Sequence, residues 1–189
     1  MIPLYAPLPY SVEYGGRSYR LLPYYDRVIE AMDAIRRRDI TPEDALGYAL
    51  RLLIYDKKLP LDFGLLQAVF DTLIEPAKTK AQRSVDFTQD AALIYSAFMQ
   101  AYRIDLREAR DMHWWTFSAL LSGLPADTRL MEIVRIRTMP VPKPTKYNGE
   151  QIQEIMRLKT LYGIRYTPEE AEDNFNRDLQ ELGTRIMSS

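Results

Sequence analysis

Residues 86–102, DFTQDAALIYSAFMQAY, decide the fold that we predict for this chain. Apolar side chains recur there at helical steps and cover most of the helix circumference, which is typical of a helix at the centre of a core. Asp86 is predicted to cap this helix and Asp90 to stabilise its first turn, although carboxylates four residues apart also suit acid–base or metal chemistry. The chain is therefore expected to be mainly α-helical.

Further helices are predicted on both sides of this stretch. Thr41-Pro42 and Thr167-Pro168 are typical helix starts, because threonine caps and proline fits the first helical position. Three aspartates, Asp62, Asp111 and Asp127, are predicted to cap other helices. The remaining predicted helices span residues 24–38, 41–54, 63–74, 112–121, 127–138, 148–162 and 167–186.

A short β-hairpin is predicted ahead of the helices, at residues 12–21. Gly15-Gly16 supplies the positive φ angles of a tight turn, and the two strands must pack on helices because a lone hairpin is marginally stable. Pro140, Pro142 and Pro144 exclude a regular helix and predict a stiff linker. We therefore expect an extended segment at 1–9, a compact helical domain with the hairpin at 10–138, a Pro-rich linker at 139–146 and a C-terminal helical appendage at 147–189.

Composition argues against several classes of function. The chain has 25 basic and 26 acidic residues, so it lacks the overall basic excess that nucleic-acid binders usually carry. It has no cysteine and one histidine, which excludes thiolate chemistry and multi-histidine metal sites. No apolar run reaches the roughly 18 residues of a membrane span, and residues 1–4 lack a signal-peptide pattern. We expect no cofactor, no metal and no membrane partner, with a cytoplasmic location.

The only histidine and both tryptophans lie together at His113, Trp114 and Trp115. A catalytic His–Asp pair needs a nucleophile presented on a sharp turn, and no G-x-S-x-G run exists. We therefore interpret His113 as a structural residue whose ring is satisfied by a carboxylate or carbonyl. The two tryptophans point about 100° apart on a helix. One is expected in the core, and the other either anchors a partner or completes the same core.

The last predicted helix is mostly polar and carries a narrow apolar stripe. Phe175, Leu179 and Leu182 form this stripe together with Ile186. Such a stripe suits docking on a partner or a neighbouring subunit. The alternative is that the helix folds back on its own domain.

An ordered series of segments resembles a known phage family. These are DFTQDAALIYSAF at 86–98, YRIDL at 102–106, MHWWTF at 112–117 and LLSGLPADT at 120–128. They are similar to the bacteriophage "gene product fifteen" family of long-tailed phages and prophages. The likeness extends more loosely over residues 10–162 and leaves the C-terminal residues uncovered.

The resemblance implies a role in tail morphogenesis. Genes of this family lie among tail genes, typically ahead of the tape-measure gene, in the position of tail assembly chaperones. Those small helical proteins coat the aggregation-prone tape measure and recruit tail-tube subunits. The resemblance thus implies a non-enzymatic chaperone that binds the tape measure or the tail-tube protein through Trp114 and Trp115 or the last helix. Self-association stays open, and a structural tail or connector protein of the virion is the alternative.

Overall fold

The computed structural model describes residues 6–74, 84–165 and 175–187. The predicted class, mainly α with a short N-terminal hairpin, is confirmed. The described elements are β1 Ser11–Tyr14, β2 Arg17–Arg20, α1 Tyr25–Arg36, α2 Pro42–Leu53, α3 Phe63–Leu73, α4 Ala91–Tyr102, α5 Trp114–Ser122, α6 Arg129–Thr138, α7 Gly149–Tyr162 and α8 Phe175–Met187.

The chain divides into two compact units. Unit 1 comprises Met1–Lys80, Arg110–Ala119 and Asp173–Ser189, and unit 2 comprises Ala81–Ala109 and Leu120–Glu172. The domain boundaries predicted at 138 and 146 stay predictions. The prolines of the predicted linker lie outside helices and strands, between α6 and α7.

The hairpin of unit 1 forms as predicted. β1 and β2 pair antiparallel with Tyr14 opposite Arg17, and both Gly15 and Gly16 have positive φ angles. The hairpin also packs on a helix, as its marginal stability requires. Tyr14 donates from its hydroxyl to the carboxylate of Asp62, with 3.0 Å to each oxygen.

Helices α1, α2 and α3 supply the core of unit 1. Two predicted caps are confirmed: Thr41 Oγ1 accepts from the Asp44 amide, and Asp62 Oδ1 accepts from the Gly64 amide at 2.7 Å. α1 packs against α2, and α2 packs against α3. Their inward residues are buried and apolar, and include Val28, Ala31, Ile35, Leu46, Leu50, Leu53, Leu65, Leu66, Val69, Phe70 and Leu73.

In unit 2 the helix predicted from residue 86 starts later. α4 begins at Ala91, because residues 87–90 form a turn instead. Asp86 caps that turn, since its Oδ1 accepts from the amides of Thr88 and Gln89. Asp90 stands at the N-cap position of α4 and makes no side-chain capping bond to the helix.

Two other predicted starts were wrong by one or two residues. α6 is capped by Thr128, whose Oγ1 accepts from the Met131 amide, and not by Asp127. α5 begins at Trp114, and not at Met112 after a cap by Asp111. These shifts change the fold little, because the rest of each of the two helices lies where it was predicted.

The expected central position of α4 is wrong. Only Ile94, Ala97 and Phe98 of this helix are buried, while Ala92 and Met99 are exposed. α4 packs against α6 along one face. An apolar helix therefore lies at the surface of unit 2.

Candidate partner-binding surfaces

His113 and Trp114 together join three stretches of unit 1 that are distant in sequence. Its Nε2 lies 3.1 Å from the Pro9 carbonyl oxygen, and the Trp115 amide donates to its Nδ1 at 3.0 Å. Next to it, the Trp114 amide donates to the Pro23 carbonyl oxygen at 2.7 Å. The start of α5 is thereby tied both to the chain before the hairpin and to the chain before α1.

The bonding partners assign a neutral ring to His113. The Pro9 carbonyl can only accept, so Nε2 carries the proton, and Nδ1 is left as the acceptor for the Trp115 amide. Burial lowers the pKa of His113 below its usual value, and the bond to Pro9 opposes this shift. The predicted carbonyl partner of His113 is present, and its purely structural role stays a prediction.

The two tryptophans have different surroundings. Trp114 is 7% exposed, with its ring centre 5.8 Å from that of Phe117, which itself stacks on Tyr25 at 4.7 Å. Trp115 is only partly buried, and its Nε1 has no hydrogen-bond partner among the described residues. Of the predicted pair, Trp114 therefore fills the core and Trp115 keeps exposed surface. The partner-binding role of both stays a prediction.

The last helix folds back on unit 1, which was the predicted alternative to docking on a partner. α8 packs against α1 and α2, and Leu179 and Leu182 are completely buried. Phe175 begins the helix, but its side chain lies outside the described part of the structure, as do residues 167–174 of the predicted helix. A partner that takes up Leu179 and Leu182 would therefore have to displace α8, and that role stays a prediction.

Sequence reasoning missed the exposed apolar residues of unit 2. On α7, Met156 is 52% exposed and Leu161 is 60% exposed. Ile155 is the single buried residue among the residues of α7. Met99 on α4 and Tyr147 before α7 are exposed as well. The sequence feature that could have revealed Met99 and Met156 is that their helices carry more apolar residues than one packed face requires.

The paired carboxylates Asp86 and Asp90 are occupied by structural bonds. The Asp90 carboxylate forms a two-pronged ion pair with Arg137 of α6, at 2.6 and 2.9 Å, and also accepts from the Asp86 amide. Arg137 further donates to the carbonyl oxygens of Ser84 and Tyr162. This arrangement holds α4, α6 and the end of α7 together within unit 2.

The described residues hold no candidate metal site and no candidate membrane span. No group of three or more His, Cys, Asp or Glu side chains there could hold a metal ion. Among the described helices, none is long and apolar enough to cross a bilayer.

Comparison with known proteins identifies a family for this chain. No curated protein and no solved structure matches the chain. The family model described as "Bacteriophage Gp15 protein" matches residues 4–164, which is most of the chain and includes every described element except α8. The family indicates a phage structural or morphogenesis protein. The chain therefore belongs to the bacteriophage Gp15 protein family.

Proposed function

We propose that this protein is a tail assembly chaperone that binds the tape measure protein, the tail-tube protein or both, in the host cytoplasm. Membership of the phage family is the observation that carries the proposal. The chaperone role itself comes from the family resemblance in the sequence, which implies a gene position among tail genes. We propose a binding function and no enzymatic activity.

The surface chemistry of unit 2 supports this proposal. Methionine is flexible and polarisable, and is used where one surface must accept differing apolar partners. Met99 and Met156 present such side chains on α4 and α7, and Leu161 adds further apolar surface. Formal net charge is only −1, so contacts with a client would depend mainly on apolar burial.

Co-expression with the tape measure protein tests the proposal. We expect the wild-type chain to keep the tape measure soluble and to co-purify with it. The double variant M99Q/M156Q should lose most of this effect, because it replaces two exposed apolar side chains with polar ones. S96Q/T160Q is the matched control, since Ser96 and Thr160 are exposed positions on the same two helices.

The control variant should behave like the wild type, and both variants should melt within about 2 °C of it, because the altered side chains are exposed. Absence of any complex with the tape measure or tail-tube protein, together with no gain in solubility, would contradict the proposal. Mass spectrometry of purified virions separates the alternative. Abundant copies in mature particles would indicate a structural tail or connector protein.

A further inference from the structure

His113 stands at the N-cap position of α5. Its backbone carbonyl oxygen accepts from the Phe117 amide at 3.0 Å, and its ring atom Nδ1 accepts from the Trp115 amide at 3.0 Å. Most N-caps accept through a side-chain oxygen of serine, threonine, aspartate or asparagine. The Nδ1 atom of a histidine can accept only while it carries no proton. The cap of α5 therefore exists only with a neutral ring.

The other ring nitrogen attaches a second part of unit 1. Nε2 donates to the Pro9 carbonyl oxygen, and the Tyr10 ring meets the imidazole edge to face, with 5.1 Å between ring centres. On the backbone, Tyr24 just before α1 forms an isolated antiparallel bridge with His113. His113 is only 4% exposed, so water cannot readily replace a bond that its ring loses. The ring therefore joins the start of α5 to the segment ahead of β1.

A proton affects the two ring nitrogens differently. Nε2 already donates to Pro9 and continues to do so in the charged ring. Nδ1 gains a hydrogen that points at the Trp115 amide, so two donors face each other and the cap is lost. The positive charge also lies at the N-terminal end of α5, where the helix dipole disfavours a cation. A proton on His113 thus breaks the cap and leaves the Pro9 bond in place.

The described surroundings of the ring offer no charge that would offset this cost. The titratable side chains next to His113 on the segments that it joins are the phenols of Tyr10 and Tyr24, and phenols are uncharged at neutral pH. α5 itself carries no charged residue, and Asp111, two residues before His113, is exposed. Burial lowers the pKa of His113 and the Pro9 bond opposes this shift, with no carboxylate among its causes.

We infer that His113 is a pH-sensitive latch, closed while its ring is neutral and opened by a proton on Nδ1, which releases the first turn of α5 around Trp115. The indole Nε1 of Trp115 has no hydrogen-bond partner among the described residues, so no bond of this atom opposes the movement. Trp114 stays in place, because its amide donates to the Pro23 carbonyl oxygen and its ring packs on Phe117. Since burial lowers the pKa of His113, the latch opens below pH 6.5, the ordinary value for a histidine. This inference is independent of the proposed chaperone function.

Amide hydrogen exchange of the full chain, followed by NMR and corrected for the intrinsic pH dependence of exchange, tests the latch. We expect the protection of the Trp115 amide to fall at least about threefold between pH 8 and pH 5, because the open form binds a proton that the closed form rejects. The nitrogen signals of the imidazole should show Nδ1 gaining its proton over the same pH range. The Leu21 amide, which donates to the Tyr10 carbonyl oxygen, should exchange more slowly than the Trp115 amide at both pH values.

Two variants separate the roles of the ring nitrogens. His113→Asn places an amide oxygen near the position of Nδ1 and keeps a cap that does not titrate, so the protection of the Trp115 amide should not depend on pH. His113→Gln places an amide group near the position of Nε2, which retains a donor for Pro9 but no cap. In H113Q the protection of the Trp115 amide should be low at both pH values. Circular dichroism checks that each variant folds.

Three results would each overturn the inference. The Trp115 amide could keep its protection while Nδ1 becomes protonated, or H113N could lose protection in acid as the wild type does. The Trp115 and Leu21 amides could also exchange at one common rate, which would mean that acid unfolds unit 1 as a whole. If neither variant folds, the wild-type nitrogen signals and amide rates decide, since the latch requires that they change together.

Discussion

The ion pair between Arg137 and Asp90 offers a measurable test of what stabilises unit 2. Both side chains are nearly inaccessible, with 9% and 3% of their surface exposed. Arg137→Met keeps most of the apolar stem and removes the guanidinium group, so the Asp90 carboxylate stays buried without its positive partner. Breaking a buried pair in this way costs about 3–5 kcal/mol. For a chain of this size the melting temperature should fall by roughly 6–20 °C.

The assay must report on unit 2 separately, because two compact units need not unfold in one step. Thermal melts should therefore be accompanied by hydrogen exchange of peptides from α4, α6 and α7, which should all lose protection in R137M. Arg157→Met is the matched control. It breaks an arginine–carboxylate pair with Glu154 that has a similar distance, 2.7 Å, but more than half of each side chain exposed. We expect little change in that variant.

A loss below about 1 kcal/mol in R137M would refute the reasoning, because a buried carboxylate without a partner must cost more than an exposed one. The double variant D90N/R137M identifies the source of the loss. It should recover part of the stability, since the unpaired charge is gone. If nothing is recovered, the loss comes from the carbonyl oxygens of Ser84 and Tyr162, which Arg137 also binds.

Three other predictions concern unit 1. Burial lowers the pKa of His113, so the folded ring resists a proton that the unfolded ring accepts. The free energy of unfolding should therefore be full above pH 6.5 and should fall as the pH drops through that value. Urea titrations from pH 5 to 8 check this, and H113Q, which has no titrating ring, should show a flatter dependence; an equal slope would exclude His113 as the cause. Asp62→Ala removes a helix cap and the acceptor of the Tyr14 hydroxyl, and should cost about 1–2 kcal/mol in chemical denaturation, whereas Y14F keeps the cap and should cost less. Trp115→Phe removes an indole nitrogen without a bonding partner among the described residues and should leave the melting temperature unchanged or higher; a clear fall would mean that the nitrogen is satisfied in solution.

Local features were predictable from the sequence where the deciding atoms lie close along the chain. The Gly15-Gly16 turn and the Thr41 and Asp62 caps involve atoms no more than three residues apart, so their residue types were sufficient. The role of Asp90 was not predictable in this way. Asp90 bonds to Arg137, 47 residues further on, and nothing near residue 90 announces that partner.

The surfaces were harder to predict than the elements. His113 was assigned a carbonyl or carboxylate partner, but the choice of Pro9, 104 residues away, depends on the tertiary structure. The apolar composition of α4 predicted burial, because a sequence does not distinguish residues covered by their own chain from residues left open. The same ambiguity hid the exposure of Met156, which occupies a helical step typical of a core residue.

Unit 1 is assembled from three separate stretches of the chain, and this has a consequence during translation. Its last stretch, which contains α8, follows the first by more than ninety residues, from Lys80 to Asp173. At about 5–20 residues per second, the ribosome needs roughly 5–20 s to make the intervening chain. Over that interval α1, α2 and α3 have left the ribosome while the helix that covers them has not yet been synthesised. For that time the apolar surface that Leu179 and Leu182 will cover is exposed to water.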